Sequence, residues 1–326
     1  MVKAGIGASY EYNWNSLVGC LQGMLRQAGL PHDAARVSAV TGEAFRVPAP
    51  ARGPAGDVRS PIAGLAFAGS APDGPVSDGL ADDLALLGLR VRVDAWDLRR
   101  RRPALLGWRV GRRIRGALSD GRAVAAYGAV TGEFGLLVGY DASRRAYRVQ
   151  GALSQETGEW LRADRLPAAD AAWLALVIPE SDPLRTGPAA MPALLARAVQ
   201  RRLRARPGEG LAAWITLLRS RDEIDAGRHA RAAQALAAGA GEAARFWRTT
   251  AEDGVQAAEP LVGPGHELAV ALSRVATLFP FPMGGDVAGG GREAGARALA
   301  AAIEVERRLD ALLASFPART TGPATC

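Results

Sequence analysis

The sequence predicts an α+β protein, with a sheet-containing N-terminal domain followed by an all-helical bundle. Three observations carry that prediction. Within residues 121–151, three short apolar runs at 123–127, 134–140 and 146–150 are separated by polar turns at 131–132 and 141–144, the pattern of an antiparallel meander. Ahead of it, NSLVGCLQGMLRQAGL spaces its apolar residues as an amphipathic helix does. Beyond Pro188, apolar residues recur at helical spacing almost to the end, and helices joined by short loops pack as a bundle. The predicted domains are 1–180 and 189–317, with 318–326 a disordered tail.

The elements follow in order. Asn13 or Asn15 caps the first helix, because a short amide side chain accepts the free N–H groups of a first turn. Gly29 closes that helix. Pro31 opens a second short helix ending at Gly42, and 43–47 reads as a short strand or extended piece. Residues 48–75, rich in Pro, Gly and Ala, form a long loop. An amphipathic helix covers 78–87, a strand with one wet face 89–93, and a helix 103–118 with Leu105, Leu106, Trp108, Val110, Ile114 and Leu118 near one side. After the meander, 173–178 is a last strand and 179–188 a linker. Helices are expected at 191–206, 211–220, 222–238, 241–258, 266–278 and 293–316.

Composition bounds the rest. At 326 residues with 48% apolar content, the chain supports two folded domains. No signal-peptide core and no apolar run of about 20 residues is present, so a cytoplasmic protein without a membrane span is expected. Cys20 and Cys326 make neither a disulfide framework nor a metal cluster, and no cofactor motif stands out. The formal charge of +7 invites an anionic partner. Lys3 is the only lysine, however, and the abundance of Ala, Gly, Pro and Arg together is what GC-rich coding produces.

The chemistry-bearing side chains are few. Cys20 is the internal thiol, one turn inside the first helix, where the dipole effect has faded. Ser16 lies nearer the helix start. Glu133 enters the middle strand of the meander and Asp141 leaves it, ~25 Å away at strand spacing, too far for an acid–base pair. His32, His229 and His266 lack metal-helix spacing. Arg99 to Arg102 with Arg109, Arg112, Arg113 and Arg115 form the densest positive patch, suited to docking on an anion. Neither an RNP-type aromatic motif nor a helix-turn-helix signature supports nucleic acid as that partner.

The succession NSLVGCLQGMLRQAGL, VTGEAFRV, GRAVAAYG, EFGLLVGYD and AYRVQG resembles the papain-like domain at the N-terminus of the butirosin-biosynthesis acyltransferase H family. More distantly it is similar to bacteriocin-processing cysteine peptidases. The resemblance covers Tyr10 to Pro179 and rests on order and spacing. It implies a bacterial papain-like domain whose nucleophile starts the first helix and whose histidine opens the strand ending in Gly139-Tyr140-Asp141. Those positions fall on Ser16 and Glu133 here, flanked by Trp14, Asn15, Tyr140 and Asp141 as binding positions. A Ser–Glu pair is a poor substitute for Cys–His, since a carboxylate is a weak base for a hydroxyl. A shift of one turn would return the nucleophile role to Cys20, still without a histidine. The expectation is a catalytically degenerate protein binding a peptide, an acyl carrier or a small acyl-type molecule, with a place in specialised-metabolite or peptide biosynthesis. The alternatives are a cysteine-dependent peptidase, amidase or acyltransferase using Cys20, and an anion-docking module using the 99–115 patch.

Overall fold

The computed structural model describes residues 7–47, 78–98, 103–130, 133–151, 160–166, 173–180, 189–220, 223–282, 285–287 and 290–316. They divide into two compact units. One takes the residues up to Val37 and those from 78 to 189. The other takes 38–47 and the residues from Ala190 onward. Residues 38–47 therefore belong with the helices, although the sequence assigns them to the sheet domain. The predicted loop at 48–75, the residues Arg99 to Arg102 and the tail at 318–326 lie outside the described residues.

The first unit contains α1 (Ser16–Gln27), the start of α2 (Ala34–Thr41), α3 (Asp78–Leu86), β1 (Val91–Asp97), α4 (Pro103–Ser119), β2 (Val124–Val130), β3 (Glu133–Asp141), β4 (Ala146–Gln150), β5 (Trp160–Arg162) and β6 (Trp173–Pro179). The strands form one six-stranded antiparallel sheet in the order β1-β6-β2-β3-β4-β5. The meander supplies β2, β3 and β4, and β6 returns to lie between β1 and β2, with Val177 opposite both Val93 and Ala125.

Helices cover both faces of this sheet. Val110, Ile114, Ala117 and Leu118 of α4 pack with Val124, Ala126, Leu137, Tyr147, Leu174 and Leu176. α1 packs on β3 and β2, with Gly23 against Leu136. Successive strand residues point to opposite faces, so Leu136 and Leu137 assign α1 and α4 to opposite sides. A strand covered on both faces has no reason to alternate, and β3 is buried continuously from Phe134 to Val138.

Several boundaries differ from the sequence reading for local reasons. Asp33, not Pro31, starts α2, its Oδ1 accepting the Arg36 amide at 2.7 Å. Leu89 ends α3 and does not begin a strand: Gly88 adopts a positive φ of 89° and the Leu89 amide donates to the Leu84 carbonyl, a Schellman-type close. Residues Glu43–Phe45 form a 3-10 turn, not a strand, and Phe45 stacks on Trp247 at 5.7 Å. Trp108, expected on the apolar side of its helix, is 61% exposed. At 100° per residue it stands about 160° around the helix from Val110.

The second unit holds α5 (Met191–Ala205), α6 (Pro207–Arg219), α7 (Ala226–Glu252), α8 (Glu259–Leu278) and α9 (Gly290–Ala314). Trp214, Phe246, Trp247 and Phe279 are its largest buried aromatics. The break expected near 239–241 is absent, and α7 runs unbroken for 27 residues. Glycine costs about 1 kcal/mol in a helix interior, but Gly239 faces the Ala44 carbonyl so closely that a Cβ would lie 3.1 Å from its oxygen. Close packing offsets the propensity. Arg202, 1% exposed, forms ion pairs with Glu306 and, at 3.0 Å, with Asp310.

Candidate functional site

The N-terminus of α1 is assembled from a run of short polar residues. Asn13 Oδ1 accepts the Asn15 amide at 2.8 Å. Asn15 stays extended and its Oδ1 accepts the Leu17 and Val18 amides at 3.0 and 3.4 Å. Asn15 is thus the N-cap, and it occupies the Leu17 and Val18 amides of the first turn. Ser16 is left as the first helical residue. Its Oγ accepts the Phe134 amide at 3.1 Å. That hydrogen bond joins the first turn of α1 to the start of β3, where Glu133 stands. The fold therefore brings together the two positions at which the family resemblance expects a nucleophile and a base.

A second strand of chain lies along the same helix. A Cβ at Gly19 would come 2.2 Å from the Glu11 carbonyl oxygen, and one at Gly23 2.3 Å from that of Ser9. Only glycine at these two positions, one turn apart, lets residues 9–11 pass so close. The Tyr10 ring rests on Gly19, its amide donates to Gln150 Oε1 at 2.8 Å, and Glu11 pairs with Arg26. Tyr10 was not singled out in the sequence. The one available signal was the aromatic density of YEYNW ahead of the helix.

The electrostatics oppose nucleophile activation. Cys20 is completely buried. Burial, and secondarily the charge of Glu133, push its thiol well above the ordinary range, so it stays protonated and inert. Burial first, then Cys20 and Glu133, push the Tyr10 phenol upward as well. An imidazole is not supplied. His32 follows the far end of α1, with Nε2 2.9 Å from the Leu87 carbonyl, and burial lowers its pKa. His229 and His266 belong to the helical unit. No group of metal-ligating side chains occurs among the described residues.

Tyr140 and Asp141 do not share this site. They close β3, about 25 Å from Glu133 at strand spacing. Asp141 Oδ1 accepts from the Ser143 amide at 2.9 Å, the Ser143 hydroxyl at 2.6 Å and the Arg144 amide at 3.2 Å. The Ser143 hydroxyl is the chief reason its carboxyl titrates below the usual range. This is an Asx turn that fixes the β3–β4 hairpin. Tyr140 packs on Tyr147 at 5.2 Å beneath the Arg115 guanidinium. Both residues build the sheet. Trp14 and Tyr12, in contrast, are 41% and 75% exposed on the segment leading into the α1 cap.

Comparison with known proteins gives no match: no family model fits the chain, and neither curated proteins nor solved structures returned a significant similarity. No described helix is long and apolar enough to cross a membrane.

Proposed function

We propose that the first unit is a papain-like domain of the butirosin-biosynthesis acyltransferase H type that binds a peptide or acyl-type ligand without cleaving it. One observation carries this reading. At the helix start where a nucleophile is expected, the Ser16 hydroxyl serves as the acceptor for a strand amide, Phe134 N–H. Glu133 at the expected histidine position, and the occlusion of Cys20, support it. A hydroxyl committed to the backbone beside a carboxylate holds the architecture of a Cys–His site without its proton relay. The exposed Trp14 and Tyr12 then supply apolar surface for a ligand beside the α1 cap.

Iodoacetamide kinetics in a Cys326→Ser background test the reading. Exposing Cys20 requires opening α1, which costs at least ~4 kcal/mol for a core helix and slows alkylation about 10³-fold relative to the urea-unfolded chain. Cys20 reacting at the same rate folded and unfolded would overturn the proposal in favour of a cysteine enzyme. A companion variant checks the correspondence itself. Ser16→Cys with Glu133→His should yield a thiol of lower pKa than Ser16→Cys alone, because imidazolium stabilises thiolate and carboxylate does not.

A further inference from the structure

The positive charge of α4 is distributed unlike that of the long helix α9. Arg297, Arg307 and Arg308 of α9 pair with Glu293, Glu304 and Glu267. α4 carries Arg109, Arg112, Arg113 and Arg115 and no acidic residue. Its apolar side is spent on the sheet core, so Trp108, Arg109 and Arg112 face solvent. The Arg112 guanidinium lies 5.7 Å over the Trp108 ring. On the flank, Asp94 serves both Arg113 at 2.9 Å and Arg92 at 3.1 Å. No carboxylate lies within ion-pair reach of Arg109 or Arg112 among the described residues. Two guanidinium groups thus share the Asp94 carboxylate on the flank, and Arg109 and Arg112 stand in solvent with an exposed indole beside them.

We propose that the Trp108–Arg109–Arg112 face of α4 docks an acidic polypeptide surface. Tryptophan and arginine are the side chains that most often dominate protein interfaces, a rigid ring giving area and a planar fork gripping carboxylates two-handed. Stacking on Trp108 holds Arg112 in place before any partner arrives, which lowers the entropy lost on docking. The same geometry disfavours the other anionic partners. A lipid surface needs a wide apolar face, and among the α4 side chains whose burial is described Trp108 is the exposed large hydrophobic one. Single-stranded nucleic acid needs successive open rings. The next ring, Trp96, is half-buried against the core and covered by Arg113 at 5.8 Å.

The test uses the full chain and a fluorescein-labelled helical peptide with glutamates spaced four apart, read by anisotropy. Saturable binding is expected, weakening at least tenfold when salt rises from about 50 to about 300 mM as screening shortens the reach of the charges. Arg109→Glu with Arg112→Glu should weaken it by about 30-fold or more, and Trp108→Ala, which leaves the charge unchanged, by about tenfold. Arg307→Glu with Arg308→Glu lowers the net charge equally and should stay within about twofold. All these side chains are exposed, and far-UV circular dichroism verifies each fold. The proposal is overturned if the peptide does not bind, if both charge reversals weaken it equally, or if Trp108→Ala has no effect. Tighter binding of a thymidine oligonucleotide or phosphatidylserine vesicles through the same residues also overturns it and identifies the other partner class.

Discussion

Replacing Ser16 by alanine removes one oxygen, and that oxygen is the acceptor of the Phe134 amide at 3.1 Å. Phe134 is 6% exposed, so water does not readily take the place of the lost acceptor. A lost hydrogen bond costs about 1 kcal/mol net, and leaving a buried amide unsatisfied raises that to between about 1 and 3 kcal/mol. Alanine returns a few tenths of a kcal/mol through its better helix propensity. Asn15 keeps the cap, since it bonds Leu17 and Val18 and not Ser16. The expected loss is therefore about 1–2 kcal/mol, a fall of roughly 3–6 °C in the melting of the sheet-containing unit. Urea unfolding followed by circular dichroism measures the loss, and hydrogen exchange reports whether the Phe134 amide is the group released. The sign separates two roles. A residue held in place for catalysis commonly costs stability, so its removal is neutral or stabilising. Unchanged or increased stability, with Phe134 exchange unaltered, would refute the assignment of Ser16 as a structural acceptor.

Two further predictions concern the helical unit. Arg202→Met leaves the Glu306 carboxylate, 3% exposed, without its buried partner and should cost about 3–5 kcal/mol in urea unfolding. Adding Glu306→Leu should recover most of that, and a double variant no more stable than the single one would contradict the account. His229 is fully buried, accepts from Trp214 Nε1 at 3.3 Å and lies edge-on to the Phe279 ring at 4.3 Å. Burial, then Arg292, lower its pKa from 6.5 to about 4. The unfolded chain therefore binds a proton that the native state refuses. The stability contribution is intact above pH ~6.5 and is lost progressively as pH falls toward ~4, by roughly 3 kcal/mol in total. His229→Gln should flatten that part of the profile, and an unchanged slope would count against His229 as its source.

The parts of the fold that sequence reading located are those written in neighbouring residues. Asn15 as cap, Gly29 as a helix end, and the three meander strands all depend on residues close together in the chain. The three-residue strand β5 and the insertion of β6 between β1 and β2 depend on pairing with distant partners. The unbroken α7 could not be foreseen either, because Gly239 reads as a breaker until Ala44 is packed against it. The candidate site divides the same way. Ser16 and Glu133 were visible as positions through the family resemblance, whereas Tyr140 and Asp141 were grouped with them although strand length separates the ends of β3.

By itself, then, the sequence determined the first helix, the meander and the helical character of the C-terminal half, since residue types and periodicity are local and explicit. Tertiary structure decided what the remaining side chains do. It turned the Ser16 hydroxyl toward a strand amide, enclosed Cys20 beneath helix and sheet, and left Trp108 outside with Arg112 over its ring. Ser16 and the amide it accepts, that of Phe134, lie more than a hundred positions apart. No window along the chain contains both.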